Sequence, residues 1–330
     1  MDDMGIKTTK NIDLENKERK KLILLNPREY EHPFDRQALN ALEGTPGLEK
    51  LVRKIFKHGY ERAIRLQYTG SYLKITPDNF PDIYKLLEEA CDIIELKNVP
   101  ELYMEWSYAV NGMAIGSENP IIILTSGAID LLTPEELLYL IGHECGHIKS
   151  GHMLYHTMAL VIPFLGDIIG TATLGIGSLV STGLELALLY WSRMSEFTAD
   201  RAGLLACQDK DAVISALMKM SGVPKNFYDK MNTEDFIKQA EAFKGFDHDS
   251  TDKAFKYIMI MDQTHPWTVM RASEILKWIK AEEYQRIIDK HTGDIESLEI
   301  SCLKCGSKLK GTDTFCGHCG EKISGRYGGK

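Results

Sequence analysis

The segment Leu140–His147 constrains the fold most, because it places two histidines four residues apart inside an apolar run. Its letters, L-I-G-H-E-C-G-H, contain the pattern H-E-x-x-H. On a helix, residues i and i+4 share one face, so His143 and His147 can direct their ring nitrogens at one Zn²⁺ ion. Glu144 flanks that face, where a carboxylate can take a proton from a metal-activated water. The segment therefore predicts a helix that carries half of a zinc site.

A strong helix start precedes this motif. Thr133 suits the N-cap, Pro134 suits the first helical position, and Glu136 completes a capping box. An apolar stripe follows at helical spacing and consists of Leu137, Leu138, Ile141 and Ile148. Because the stripe would bury the helix beside a core, it disfavours the alternative of a surface helix whose histidines bind nothing.

The third ligand must come from elsewhere in the chain. Met153 stands where a metzincin has its third histidine, which excludes that class. Glu196 and Asp200 form an i, i+4 pair on a predicted second helix, and Glu196 would complete a site with an open position for water. Asp200 is predicted to accept the outer ring N–H of a zinc-bound histidine. The alternative is an ordinary charged face, paired with the neighbouring arginines. A continuing first helix would turn His152 and His156 away, towards solvent or behind the ligands.

With these residues in place, the chain resembles the HtpX-like and CAAX-prenyl-protease family of zinc metallopeptidases. These are gluzincins, in which H-E-x-x-H is followed by E-x-x-x-D. The resemblance covers about residues 30–280. It includes residues 111–116 and 121–127, which are similar to the family's strand pair, and His265-Pro266-Trp267 with Arg271, which is similar to its late H-P…R segment.

The resemblance implies a zinc-dependent endopeptidase with His143, His147 and Glu196 as ligands and Glu144 as base. It alone implies that His265 helps to stabilise the tetrahedral oxyanion; the other interpretation is a turn residue before a proline. The family's multi-span membrane architecture is incomplete here, and the chain beyond residue 300 is an addition. These departures leave the cellular substrate open.

Two short strands are expected before the zinc helix. Residues 107–116 and 120–126 read as strands joined by a turn at 117–120. If the first strand is a sheet edge, an extended peptide can pair with it through main-chain hydrogen bonds. Apolar periodicity also predicts helices at residues 35–42, 48–67, 81–94 and 272–290.

A second metal site is predicted near the C-terminus. Two CxxCG elements are separated by nine residues and supply Cys302, Cys305, Cys316 and Cys319. Four thiolates suit a tetrahedral structural Zn²⁺, and each trailing glycine suits a tight turn. The alternative is a pair of disulfides, which the isolated remaining cysteines disfavour. The ribbon is basic, a surface that suits contact with nucleic acid or with an acidic protein. We favour the interpretation that it docks a protein partner or is purely structural.

Composition bounds the remaining possibilities. The 330 residues are 44% hydrophobic with a net charge of −8, which is typical of a globular protein and not of a general nucleic-acid binder. We expect a polar segment at 1–28, a zinc metallopeptidase domain at 29–290, and a linker with zinc ribbon at 291–330. The fold class is predicted as α+β and mostly helical, with a small antiparallel sheet beside the active-site helix. No signal peptide is evident, so we expect a cytoplasmic protein.

The apolar insertion at residues 153–191 has two interpretations. One is a helical hairpin, with a turn at Gly166-Asp167, that dips into the membrane and holds the site at its cytoplasmic face. The other is a pair of buried or groove-lining helices in a soluble or peripheral enzyme. A single span would separate His147 from Glu196, so the zinc site forbids it.

The function predicted from the sequence is hydrolysis of peptide bonds in peptide or unfolded protein substrates, with one catalytic and one structural Zn²⁺. The rival hypothesis is a non-catalytic docking protein that uses the peptidase fold and the ribbon as surfaces. An intact Glu144 argues against it, because a docking protein has no use for the base. A prenyl-protein protease is a narrower rival, but no sequence feature marks a lipid pocket.

Overall fold

The described part of the chain is mostly helical and contains a four-stranded and a two-stranded sheet. A computed structural model describes residues 18–44, 60–116, 119–159, 176–244, 266–292, 299–302 and 304–322. The helices in this part of the chain are α1 (Pro27–Tyr30), α2 (Pro33–Glu43), α3 (Tyr60–Ser71), α4 (Pro81–Ile93), α5 (Ser126–Leu131), α6 (Pro134–Lys149), α7 (Ile176–Cys207), α8 (Lys210–Met220), α9 (Thr233–Lys244), α10 (Thr268–Lys280) and α11 (Glu283–His291). A 3-10 helix covers Lys225–Lys230, and residues 153–159 are also helical. The prediction of a mostly helical α+β protein is confirmed.

The larger sheet has the strand order β1-β2-β4-β3. Its strands are β1 (Leu73–Ile75), β2 (Glu101–Glu105), β3 (Gly112–Ile115) and β4 (Ile121–Thr125). The two strands expected before the zinc helix are β3 and β4, which pair antiparallel. The sheet as a whole is mixed, since β2 and β4 run parallel. Every residue of β4 is buried, which explains its unbroken apolar run.

Helix α6 begins as its sequence predicts. The Thr133 hydroxyl accepts a hydrogen bond from the Glu136 backbone N–H, and the Glu136 carboxylate accepts one from the Thr133 backbone N–H. Glu136 also receives the Lys219 ammonium at 2.6 Å, in a buried ion pair with α8. These bonds satisfy the first turn of a helix that is buried from Glu136 to His147.

Helix α6 packs against α7 through small residues. A methyl group placed on Gly142 would lie 2.4 Å from Ala206 Cβ, and one on Gly146 would lie 2.4 Å from Ala202 Cβ. Since carbon atoms in contact are about 3.5–4.0 Å apart, only glycine permits this crossing. The close approach brings the second half of α7 against the H-E-x-x-H turns of α6.

Sequence periodicity located most helices but not every helix end. The helices predicted at 35–42 and 81–94 are confirmed as α2 and α4. The one predicted at 48–67 lies partly outside the described residues. The single helix predicted at 272–290 is wrong, because α10 ends at Lys280 and α11 begins at Glu283. Glu282 between them has a left-handed backbone (φ 59°), which ends the first helix. The residues at this break include no glycine or proline that would have indicated it.

Residues 22–25, near the start of the described chain, pack into two separate hydrophobic clusters. Leu22 and Leu25 are buried in the main core, and the Leu22 N–H donates to the Ile93 carbonyl at 2.9 Å. Leu24 has a left-handed backbone, with a φ of 60°, and its side chain packs into a different cluster from those of Leu22 and Leu25. That cluster consists of Leu24, Ile300, Cys302, Leu309 and Cys316, around strands β5 (Glu299–Ser301) and β6 (Lys308–Lys310).

The apolar insertion is only partly described. Residues 160–175 lie outside the described part of the chain, and with them the turn predicted at Gly166-Asp167. In the described ranges, no helix combines the length and the apolar character needed to cross a membrane.

Candidate metal centre

Three buried side chains meet where α6 crosses α7. The Nε2 atoms of His143 and His147 lie 3.2 Å apart. Glu196 Oε2 lies 3.4 Å from the first of these nitrogens, and Glu196 Oε1 lies 3.2 Å from the second. The three residues that the sequence singled out as ligands are therefore brought together, from two helices, with their donor atoms facing one another.

These donors fit a zinc ion. Tetrahedral Zn²⁺ with bonds of about 2.0–2.1 Å holds neighbouring donor atoms about 3.3 Å apart. The three measured separations, 3.2, 3.2 and 3.4 Å, match that spacing. Two imidazoles and one carboxylate are also the donor set of a catalytic zinc site, which leaves one position for water or substrate.

The outer face of His143 contacts a buried carboxylate. Asp200 Oδ1 lies 3.0 Å from His143 Nδ1, as expected of a residue that orients this ring. Asp200 also accepts hydrogen bonds from the Tyr139 hydroxyl at 2.7 Å and from the Arg271 Nε at 2.9 Å. Burial would raise the pKa of Asp200, but the Arg271 charge and hydrogen bond hold it well below its usual range. A negative charge is thereby kept behind His143.

That charge acts on the imidazole. Burial lowers the pKa of His143, but the hydrogen bonds of Asp200 and Glu196 outweigh burial and raise the pKa to about 9. Sequence reasoning named Asp200 but missed Tyr139. Its signal was available, because Tyr139 lies one turn before His143 on the same face of α6.

The outer face of His147 contacts another histidine. His147 Nδ1 lies 2.9 Å from His152 Nδ1. The expectation of a continuing helix is wrong, because α6 ends at Lys149 and Gly151 adopts a left-handed φ of 77°. The chain therefore folds back and buries His152 behind the ligands, which is the second of the two positions expected for it.

His156 also packs behind His147. Their ring centroids are 4.8 Å apart, and His156 Nε2 lies 3.1 Å from the Ser195 hydroxyl on α7. Burial lowers the pKa of His147 to about 4, in contrast to that of His143, which its carboxylate neighbours raise.

Glu144 is buried between α6 and the edge strand β3. A methyl group on Gly112 of β3 would lie 3.0 Å from Glu144 Oε1, so the absence of a side chain there leaves room for the carboxylate. The strand predicted to receive a peptide thus lies directly beside the predicted base. His265, the other predicted catalytic residue, lies outside the described residues.

The four C-terminal cysteines also converge. The sulfur atoms of Cys302 and Cys319 are 3.6 Å apart, as are those of Cys305 and Cys316. Zn–S bonds of about 2.3 Å place tetrahedral sulfurs about 3.8 Å apart, whereas a disulfide needs about 2.05 Å. The geometry fits a four-thiolate zinc and not the alternative of two disulfides. A glycine with positive φ, Gly306 or Gly320, follows each CxxC element, as predicted.

Comparisons with known proteins agree with this geometry. Residues 77–279 match the model of peptidase family M48. The chain is 30% identical over 269 residues to the plastoglobule-localized metallopeptidase 48, chloroplastic, of Arabidopsis thaliana, covering 81% of this chain and 76% of that protein. It is 26% identical to a protease HtpX homolog of Moorella thermoacetica over 52% of this chain and 64% of that protein. It is 25% identical to protease HtpX homolog 2 of Methanosarcina acetivorans over 67% of this chain and 80% of that protein. No solved structure gives a significant match.

The fold, the buried donor set and the matched segment together define a metalloprotease. The chain belongs to peptidase family M48, and the resemblance to HtpX-like peptidases that its motifs indicated is confirmed.

Proposed function

We propose that the protein is a zinc-dependent metalloendopeptidase whose zinc is held by His143, His147 and Glu196, with Glu144 as general base. The observation that carries this proposal is the spacing of the three donor atoms, which lie 3.2–3.4 Å apart with their rings and carboxylate buried. Asp200 fixes the His143 ring from behind. A second zinc, held by the four cysteines, is structural.

The chemistry divides between the ion and the protein. When bound, zinc supplies Lewis acidity, which lowers the pKa of water towards about 7 and polarises a carbonyl. Glu144 accepts a proton from the attacking water and delivers it to the leaving amine. His265 is assigned to oxyanion stabilisation on the family resemblance alone. The Glu144 side chain is buried beside the zinc ligands.

Substrate recognition through the backbone follows from the sheet. Strand β3 is the last strand of the described sheet and pairs only with β4 there, so its other edge can accept an extended peptide. Such pairing reads main chain more than side chains. The favoured substrates are accordingly peptides and unfolded segments of proteins, and nucleic acid is not expected as a partner.

The surroundings of the enzyme are proposed from the sequence. We place it in the cytoplasm or at the cytoplasmic face of a membrane, where the segment 153–191 would provide any membrane contact. The zinc ribbon is proposed to support the fold or to dock a protein partner.

The test measures zinc content and casein hydrolysis for the wild type and for Glu144→Gln. Glu135→Gln is the matched control, since it makes the same change on the same helix in a residue that is partly exposed. Wild type is expected to hold two zinc ions per chain and to cleave casein. Glu144→Gln is expected to keep both ions and to lose activity by about 10²–10⁴-fold, whereas the control stays active.

Two results would overturn the proposal. One is a wild type that holds zinc only at the ribbon. The other is a wild type that cleaves casein no faster than Glu144→Gln. Either result would favour the docking hypothesis instead.

A further inference from the structure

A line of hydrogen bonds leads from the zinc ligand His147 to a carboxylate on a distant helix. His147 Nδ1 lies 2.9 Å from His152 Nδ1, and His152 Nε2 lies 3.1 Å from Asp35 Oδ2. Asp35 belongs to α2 and is fully buried. Neither the zinc motif nor the E-x-x-x-D segment contains any part of this line beyond His147.

Zinc binding would give the line one direction. His147 faces Glu196 with Nε2, so a zinc-bound neutral ring carries its proton on Nδ1 and must donate it. His152 Nδ1 is then the acceptor, which puts the proton of a neutral His152 on Nε2. That proton faces Asp35, which accepts it. Each hydrogen bond in the line therefore has one donor and one acceptor when both rings are neutral.

Asp35 is itself fixed to the helix that carries Glu196. Its Oδ2 accepts a hydrogen bond from the Thr198 hydroxyl at 2.6 Å. The Thr198 oxygen in turn accepts a hydrogen bond from the His32 backbone N–H at 3.0 Å, just before α2 begins. A buried carboxylate is costly unless it is hydrogen-bonded, and two groups lie within hydrogen-bond distance of Asp35 Oδ2: the Thr198 hydroxyl and His152 Nε2. Asp35 thus ties α2 and α7 to the turn after α6.

We propose that His152 and Asp35 are positioning residues that orient His147 for zinc, as Asp200 orients His143. This inference rests on the proposed zinc-peptidase function. It gives the centre a carboxylate behind each histidine ligand, one direct and one relayed through a second imidazole. The relayed carboxylate comes from residue 35, which precedes the segment 77–279 that matches the family model.

A merely structural role for His152 must be separated from this one. Its ring also packs edge-on against Trp191 at 5.5 Å between centroids, so its removal will lower stability in any case. His291 is the matched control, because it is equally buried and is likewise bonded to a carboxylate, that of Glu29 at 3.1 Å. Its other ring nitrogen contacts the Ile23 carbonyl and not the metal centre.

The experiment measures zinc binding by chelator competition, together with the unfolding temperature of each variant. Two binding steps are expected for the full chain, and the step lost in His143→Ala belongs to this centre. His152→Ala is expected to weaken that step by about 10–100-fold. His152→Asn should recover part of the loss, because its amide oxygen can accept the His147 proton. His291→Ala should lower the unfolding temperature and leave unchanged the zinc-binding step that is lost in His143→Ala.

Asp35→Asn keeps the test decisive if His152→Ala fails to fold. The amide preserves the shape and can still accept from His152, but it removes the charge. Zinc affinity at this centre should therefore fall below that of wild type, by less than the loss of about 10–100-fold expected of His152→Ala. The inference is overturned if Asp35→Asn, and His152→Ala where it folds, bind zinc at this centre as tightly as wild type. That result differs from failure of the proposed function, in which wild type itself lacks the step assigned to His143.

Discussion

The close contact between α6 and α7 predicts that one added methyl group, in Gly146→Ala, will weaken both the fold and zinc binding. In Gly146→Ala the new Cβ would lie 2.4 Å from Ala202 Cβ, more than about 1 Å closer than carbons normally approach. Overpacking of this kind costs about 1–3 kcal/mol, while replacing a helical glycine by alanine gains up to about 1 kcal/mol. We expect a net loss of stability of up to about 2 kcal/mol. The helices must also separate, which weakens zinc binding at the centre.

Gly70→Ala provides the control for that change. Gly70 lies in α3 with nothing within 4 Å of the added methyl group, so it should gain helix stability without a clash. The difference between the two variants in urea unfolding should then be about 1–3 kcal/mol, which is the overpacking cost alone. Zinc affinity, measured by chelator competition, should fall only in Gly146→Ala.

A compensating change tests the stated cause. Ala202→Gly removes the carbon that the new methyl group would meet, so adding it to Gly146→Ala should restore zinc affinity. The double-mutant cycle should give a favourable coupling of about 1 kcal/mol or more. The reasoning is refuted if Gly146→Ala is as stable as Gly70→Ala, or if Ala202→Gly does not restore zinc binding.

Three further changes probe the helix that carries the site. Gly112→Ala presses on Glu144 Oε1 at 3.0 Å and should lower kcat by up to about 10-fold while both zinc ions stay bound; an unchanged kcat would show that the carboxylate has room. Lys219→Met leaves the buried Glu136 without its partner and should cost about 3–5 kcal/mol in urea unfolding, much of which Glu136→Gln in the same chain should recover. Thr133→Ala removes the cap of α6 and should cost about 1 kcal/mol in the same assay, whereas no loss would mean that the first turn is held by packing.

The parts of the site that are local in sequence could be predicted. A capping box, a four-residue histidine spacing and an i, i+4 acidic pair each follow from the geometry of a single helix. Glu196 needed one step more, namely the requirement that two histidines alone leave a zinc site incomplete. The four-cysteine site could also be predicted from the CxxCG elements, because the four thiolates and their turn glycines are close together in the chain.

The remaining features depend on tertiary contacts that periodicity does not encode. His152 lies behind the ligands because the chain reverses at Gly151, which has a positive φ. A glycine at this position is a signal for the end of a helix, but it does not determine where the residues after it pack. Asp35 lies 163 residues from Thr198, to which it is bonded, so no spacing rule connects them. The break at Glu282 escaped detection for a related reason, since one left-handed residue leaves the apolar stripes on both sides intact.

Residues Leu22 to Leu25 contribute to two hydrophobic clusters, so one short segment joins the peptidase core to the ribbon. Leu22 and Leu25 are buried in the peptidase core, whereas Leu24 is buried in the ribbon. A ligand that binds only the folded state stabilises everything that unfolds with its site. Zinc at the ribbon is therefore expected to raise the melting temperature of the peptidase core as well as its own. Loss of that ion would loosen the segment along Ile93 and couple the enzyme's lifetime to the supply of metal.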